Sequence, residues 1–196
     1  MTPIIAITGG IGSGKSVIST LLRVMGYQVY DCDERAKWVM THDPQLRSEL
    51  IGLFGADTYL PDGELNKPHL SAAIFGHEES LRQMNACVHP AVARDIRQQV
   101  ATLQRPERPF FYESAILYES GFDGLITPDC VWTVSAPLEL RIEHAMQRDH
   151  ASRERVVARI DAQMPQDEKE RRADHVILND DHHSLIEQVN YLLNTI

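Results

Sequence analysis

The sequence GGIGSGKS, at residues 9–16, decides the fold. It matches the pattern G-x-x-x-x-G-K-[S/T], in which a glycine-rich turn lets backbone N–H groups converge on phosphate oxygens. The apolar run PIIAIT at residues 3–8 precedes it and predicts a strand that is buried on both faces. Apolar residues at helical spacing follow it and predict a helix that ends at Gly26. A strand, a phosphate-binding turn and a helix in this order indicate a nucleoside triphosphate site, in which Lys15 reaches the β- and γ-phosphates and Ser16 binds Mg²⁺.

Four more apolar runs, alternating with helical patterns, predict the rest of the fold. One is Val29-Tyr30 leading into Asp31-Cys32-Asp33, and the others lie at residues 110–113, 131–135 and 175–179. Five strands that alternate with helices predict a three-layer α/β fold with a parallel sheet. A last amphipathic helix is predicted over residues 185–193.

The middle of the chain, about residues 42–108, predicts a helical insertion into this α/β core. Helical patterns occur around residues 46–54, 70–75, 81–87 and 92–103, and no convincing strand occurs between them. Because the residue before a proline disfavours helical backbone, we expect a helix to end at His89, just before Pro90.

Composition and charge narrow the functional classes. The chain has 196 residues, of which 19 are Lys or Arg and 28 are Asp or Glu, and its net charge is −9. An acidic protein is a poor non-specific ligand for nucleic acid or for an anionic membrane, so we expect neither as a partner. No run approaches the ~20 apolar residues of a transmembrane helix, and three scattered cysteines favour reduced thiols. We therefore expect a soluble, cytoplasmic protein.

Two classes of protein with this loop compete, a nucleotide-hydrolysing switch and a kinase. A GTPase needs an N-K-x-D element, but the single Asn-Lys pair, Asn66-Lys67, is followed by Pro68 and His69. A kinase needs a carboxylate that orients the acceptor, and Asp31 and Asp33 follow the second strand at the edge where α/β sheets bind ligands. Either aspartate could instead cap the next helix, since Asp is a preferred capping residue. The pattern therefore favours a kinase and leaves the roles of the two aspartates open.

A kinase also needs cationic side chains over the phosphoryl group that it transfers. Eight of the 19 basic residues lie between residues 141 and 172. Most of them alternate with acids, which is typical of a solvated, ion-paired helix face. Arg141 and Arg148 share one helical stripe, about 10.5 Å apart, and could follow phosphates as a lid closes.

Several motifs together resemble the dephospho-CoA kinase family, which phosphorylates the ribose 3′-hydroxyl of dephospho-CoA in the last step of coenzyme A synthesis. The opening TGGIGSGKS at residues 8–16 is more specific than a generic phosphate loop. Further similarities follow in order up to residue 179: DCD at 31–33 with Ala36, Phe54-Gly55, Asp62-Gly63, Leu65-Asn66, His89-Pro90, LYE at 117–119, Arg141, Arg148-Asp149, Arg159, Gln163, Glu168-Lys169, Ala173-Asp174, Ile177 and Asn179.

The resemblance implies a P-loop kinase fold with a five-stranded parallel sheet, a helical acceptor-binding insertion and a lid. The implied core covers about residues 1–41, 109–140 and 173–196, the insertion about 42–108 and the lid about 141–172.

ATP and dephospho-CoA are the implied substrates, with Mg²⁺ as cofactor. The implied catalytic residues are Asp33 as base, Lys15 and Arg148. The implied ATP-binding residues are Gly10, Ile11, Gly12, Ser13, Gly14, Lys15, Ser16, Val17 and Asn179, the last near the adenine. The implied acceptor-binding residues are Thr8, Asp33, His89 and Arg141, and Ser16 is the implied metal ligand.

The chain also departs from the family pattern. Lys37 and Lys67 stand where the family usually has Arg, and Lys cannot form the bidentate fork of a guanidinium on phosphate. Glu113-Ser114-Ala115 replaces the more usual Asp-x-Pro, and we assign no catalytic role to Glu113 or Glu119 on this basis. Two alternatives stay open: another small-molecule or nucleotide kinase of the same scaffold, and a nucleotide-binding regulatory protein without transfer activity.

Overall fold

The computed structural model describes residues 2–196 as a five-stranded parallel sheet with helices. The strands are β1 (Ile4–Thr8), β2 (Gln28–Asp31), β3 (Phe110–Glu113), β4 (Cys130–Ser135) and β5 (His175–Leu178). The helices are α1 (Lys15–Val24), α2 (Cys32–His42), α3 (Pro44–Phe54), α4 (Lys67–Ile74), α5 (Glu78–Ala101), α6 (Phe122–Leu125), α7 (Leu138–Asp149), α8 (Arg153–Asp161), α9 (Gln166–Arg172) and α10 (Leu185–Leu193), with a 3-10 turn at Ala56–Thr58.

The sheet has the strand order β2-β3-β1-β4-β5, and every neighbouring pair is parallel. β1 is therefore central, and its carboxyl end lies between those of β3 and β4. In an open parallel sheet this edge is where ligands bind. The glycine-rich turn leaves β1 at this point, so the topology places it where a ligand site is expected.

Helices pack against both faces of the sheet. Successive strand residues point to opposite sides, so each face presents its own set of side chains. On one face Ile18 and Leu22 of α1 and Val189 of α10 are fully buried against Phe111 and Trp132. On the other face the ring of Phe122, in α6, meets the ring of Tyr112 edge-on, with centroids 5.9 Å apart. The predicted α/β fold with a five-stranded parallel sheet is confirmed.

The chain divides into two compact units. One contains the sheet and comprises Gln104–Ile196 with the chain up to Asp31, and the other is Cys32–Leu103. The second unit is helical. Within it the guanidinium of Arg35 on α2 donates to both carboxylate oxygens of Asp95 on α5, at 2.9–3.0 Å. Such bidentate pairing fixes the relative position of the two helices in this unit.

Two local expectations are wrong. The second strand ends at Asp31, and Cys32 and Asp33 already lie in the first turn of α2. The helix expected to end at His89 continues through Pro90, because α5 is a single helix of 24 residues. Apolar residues on both sides of Pro90, from Val88 to Ile96, are buried, and this packing outweighs the backbone hydrogen bond that proline cannot donate. Among residues 2–196 no helix is long and apolar enough to cross a membrane.

Candidate active site

The glycine-rich turn adopts a backbone that only glycine fits at two positions. Gly12 and Gly14 have φ values of 75° and 98°, in the left-handed region. A side chain on Gly12 would collide with the backbone carbonyl of Arg141, and one on Gly14 with the amide of Asn179. The pattern G-x-x-x-x-G-K therefore describes a real steric requirement at this place.

Three backbone donors of the turn lie at the start of α1. In the described part of the chain, the N–H groups of Gly12, Gly14 and Ser16 have no protein acceptor. They sit at the positive end of the α1 dipole, which favours an anion. The hydroxyl group of Ser16 belongs to an exposed residue in the same turn. The arrangement can bind phosphate oxygens through these backbone N–H groups.

Lys15 is buried and folds back over the turn. Its side chain is only 8% exposed, and its Nζ donates to the carbonyls of Gly9 and Gly10 at 2.9 and 3.1 Å. The ammonium group is therefore held at the turn that offers the phosphate-binding N–H groups.

Residues from distant segments surround the turn. Arg141, on α7, is buried, and its Nε donates to the carbonyl of Ile11 at 3.0 Å. Asn179, just after β5, donates from Nδ2 to the carbonyl of Ser13 at 2.9 Å. The structure thus brings these two predicted site residues to the loop, whereas Thr8 is fully buried at the end of β1. Val17, in the first turn of α1, is half exposed.

Arg148, at the end of α7, is held by its neighbour in the sequence. Its Nε and Nη2 donate to the two carboxylate oxygens of Asp149 at 2.7 and 3.0 Å. Arg159, on α8, donates to the same carboxylate at 2.6 Å. Hydrogen bonds from these two guanidinium groups hold the pKa of Asp149 far below its usual range. The Arg148 guanidinium is thus solvent-exposed and ion-paired with the carboxylate of Asp149.

Two carboxylates lie at the carboxyl ends of neighbouring strands. Glu113 ends β3 and is the register partner of Asp31, which ends β2. Ser19, on α1, donates to Glu113 Oε2 at 2.5 Å. Burial raises the pKa of Glu113, although the Ser19 hydrogen bond and the charge of Lys15 oppose this effect. The sequence assigns no role to Glu113, and its position next to the carboxyl end of β1 follows only from the pairing of β3 with β1.

Asp33 and His89, both predicted to act on the acceptor, belong to the unit Cys32–Leu103. Asp33 is exposed in the first turn of α2. His89 lies on α5, where burial lowers its pKa. Lys37 is exposed on α2.

The donor set fits a magnesium ion that is bound together with a nucleotide. Among residues 2–196 there is no group of three or more His, Cys, Asp or Glu side chains that could hold a metal by itself. Mg²⁺ prefers hard oxygen ligands and is commonly held by one or two protein groups plus substrate phosphates. Ser16 offers a hydroxyl oxygen, and Glu113 and Asp31 offer carboxylates at the same edge.

The parallel sheet, the glycine-rich turn and its lysine together define a P-loop kinase-type nucleotide-binding protein. Comparison with known proteins agrees, because residues 3–184 match the family model described as dephospho-CoA kinase. The dephospho-CoA kinase of Bacteroides fragilis is 45% identical over 96% of this chain and 90% of its own. That of Porphyromonas gingivalis is 42% identical over 98% and 93%. The chain therefore belongs to the dephospho-CoA kinase family, a family of ATP-dependent transferases that use a divalent metal.

Solved structures show the same fold. A protein from Thermus thermophilus superposes with a TM-score of 0.82 at 36% identity, covering 100% of this chain and 98% of that one. A dephospho-CoA kinase from Campylobacter jejuni gives 0.71 at 23% identity, over 100% and 99%. A shikimate kinase from Acinetobacter baumannii gives 0.57 at 14% identity, over 100% and 93%, and shares the fold alone.

Proposed function

We propose that this chain transfers the γ-phosphoryl group of ATP to the ribose 3′-hydroxyl of dephospho-CoA, which gives coenzyme A. The observation that carries the proposal is the phosphate loop, with three N–H donors and a buried Lys15 at one turn, in a chain of this family.

The proposed reaction is an in-line displacement, in which the protein supplies position and charge. The glycine-rich turn binds the phosphates of ATP through the N–H groups of Gly12, Gly14 and Ser16, and Asn179 lies toward the adenine. Ser16 would hold Mg²⁺ when ATP is bound, and the ion would supply positive charge to the phosphates. Lys15 and Arg148 stabilise charge on the transferred group, and Arg148 must leave Asp149 to do so. The remaining proposed contacts, to the acceptor, come from Thr8, His89 and Arg141.

Asp33 is the proposed base, which orients the ribose hydroxyl and accepts its proton. It lies in the first turn of α2, where its negative charge also interacts favourably with the positive end of the helix dipole. Glu34 is a second acid in this same turn and offers a matched control. Asp33→Asn keeps the size of the side chain and removes its basicity, and Glu34→Gln makes the equivalent change beside it.

We expect Asp33→Asn to lower kcat with dephospho-CoA about 100-fold, the lower end of general-base effects, because Asn still orients the hydroxyl. Glu34→Gln should stay near the wild-type rate, and both variants should melt at similar temperatures. The measurement is steady-state ADP release, with thermal melting and ATP affinity for each variant. A rate for Asp33→Asn within about threefold of wild type would assign the base to another residue, since it lies far below the usual loss.

The same ADP-release assay separates the alternatives. Release that depends on dephospho-CoA supports the proposal. Release that depends instead on another nucleoside or small alcohol supports a different kinase, and ATP binding without any release supports a regulatory protein.

A further inference from the structure

Two glutamines bind the outer side of the phosphate loop. Gln163 Oε1 accepts the N–H of Ile11 at 2.8 Å, and Gln166 Oε1 accepts the N–H of Gly10 at 3.0 Å. Both come from the short connection that runs from the end of α8 into the start of α9. The N–H groups of Gly10 and Ile11, predicted to bind ATP, are thus used inside the protein.

Each glutamine amide is itself held from its other end. Gln166 Nε2 donates to the carbonyl of Val134 at 3.3 Å, and Gln163 Nε2 donates to that of Ala115 at 3.4 Å. Since the loop supplies donors and Val134 and Ala115 supply acceptors, only one orientation of each amide satisfies both sides. Lys169, fully buried, also donates to Ala115 at 2.8 Å and ion-pairs with Glu119 at 2.6 Å. The turn that carries the glutamines is therefore held against the segments that follow β3 and end β4.

The same two peptide units also hold Lys15. A peptide unit is planar, with its N–H and C=O groups on opposite sides. The unit that joins Gly9 to Gly10 gives its N–H to Gln166 and its C=O to Lys15 Nζ. The unit that joins Gly10 to Ile11 gives its N–H to Gln163 and its C=O to Lys15 Nζ. Fixing each N–H on a glutamine therefore fixes, through one rigid plane, the direction of a carbonyl that binds the lysine.

We infer that Gln163 and Gln166 are positioning residues for Lys15, and that they place its ammonium group for the phosphates of ATP through two peptide planes. This inference rests on the proposed function, in which Lys15 binds the β- and γ-phosphates. It gives the connection between α8 and α9 an indirect share in nucleotide binding, through the phosphate loop.

A double-mutant cycle tests the inference. Gln163→Met and Gln166→Met keep an unbranched side chain of similar length and remove the acceptor. Gln147→Met is the matched control, because Gln147 is exposed on α7 and its amide contacts the side chain of Glu143. Each change is made in the wild-type protein and in the Lys15→Ala background. The readouts are ATP affinity by calorimetry, and KM for each substrate together with kcat in the wild-type background.

In the wild-type background we expect each glutamine change to weaken ATP binding about fivefold to tenfold, the worth of one hydrogen bond, and to leave the KM for dephospho-CoA unchanged. In the Lys15→Ala background the same changes should have little further effect, because the lysine that they position is gone. Gln147→Met should change neither quantity in either background.

Equal losses of ATP affinity in both backgrounds would overturn the inference, since they would show that the glutamines support the loop independently of Lys15. Unchanged affinity in both backgrounds would overturn it as well. If a methionine variant melts below the assay temperature, the Asn variant at that position, one methylene shorter, enters the same cycle. The proposed function fails separately, if Lys15→Ala itself turns over dephospho-CoA at the wild-type rate.

Discussion

At the scale of single residues, Glu113 is a partly buried carboxylate whose charge destabilises the folded protein. Burial raises its pKa above the ordinary value of 4.5, so the folded state holds its proton to higher pH than the unfolded state does. Stability contributed by the protonated form is complete below 4.5 and is lost as the pH rises through the raised folded pKa. A neutral side chain at this position has no such loss.

We therefore predict that Glu113→Gln melts close to wild type at pH 4 and above it at pH 7. Gln keeps an oxygen that can accept from Ser19, so the hydrogen bond does not confound the comparison. The measurement is melting temperature against pH from 4 to 8, with the exposed Glu187→Gln on α10 as control. Parallel profiles for wild type and Glu113→Gln would show that the buried charge has no such effect on stability.

The sequence predicts those residues of the site whose signal is local. Lys15, Ser16 and the glycines stand in one short pattern, so the loop was found from spacing alone. Gln163 and Gln166 stand 152 and 156 residues from the N–H groups that they bind. No sequence spacing predicts a hydrogen bond from a glutamine to a group this far along the chain. Gln163 stands out in the sequence only as part of a family motif.

At the scale of elements, the role that we propose for Arg148, at the end of α7, differs from that of Arg153 at the start of α8. The Arg148 and Arg153 side chains are similarly exposed, at 58% and 50%, and each is ion-paired, to Asp149 and Glu139 respectively. Exposed pairs of this kind contribute about 0–1 kcal/mol to stability. Loss of stability therefore cannot distinguish the two arginines, whereas loss of rate can.

Arg148→Ala should lower kcat by roughly 100-fold or more, as expected when a donor to developing charge is removed, and should change the KM for dephospho-CoA little. Arg153→Ala should keep the wild-type rate within about twofold, since a surface pair contributes so little. Steady-state kinetics on both variants provides the check. Equal, small effects would mean that Arg148 is a surface charge like Arg153.

The residues at which helices and strands end depend on how far tertiary packing overrides the local backbone preferences of the sequence. The strand expected to include Asp33 ended at Asp31, because the helix begins without an intervening loop. Pro90 is the clearer case. A local rule ends a helix before proline, but buried Val88, Ala91 and Val92 hold α5 together around it. Periodicity placed the helices on either side, and only the tertiary contacts could join them.

At the scale of the whole molecule, the two units are proposed to bind different substrates. The sheet unit contains the phosphate loop, and the unit Cys32–Leu103 contains Asp33 and His89. A ligand stabilises the state to which it binds, by about 2.7 kcal/mol at 100 times its Kd. Protection from hydrogen exchange should therefore report where each substrate binds.

We predict that ADP slows amide exchange in the loop and α1, and that dephospho-CoA alone slows it mainly in α2–α5. Exchange followed by mass spectrometry, with each ligand separately, measures this. Protection of α2–α5 by ADP alone, with none from dephospho-CoA, would contradict the assignment of the helical unit to the acceptor.

The strand order has a consequence for how molecules of this protein associate when they are heated. β5 is an edge strand, and Val176 and Leu178 on its outer face are 40% and 37% exposed. The strand, HVIL, carries no Lys or Pro of the kind that discourages a second chain from adding to an open edge. The Gln188 side chain of α10 pairs with the N–H and C=O groups of Leu178, so loosening of α10 on heating would free these groups for a second chain. Loss of protein by such association would follow a rate that rises with protein concentration, which the equilibrium free energy of unfolding does not describe.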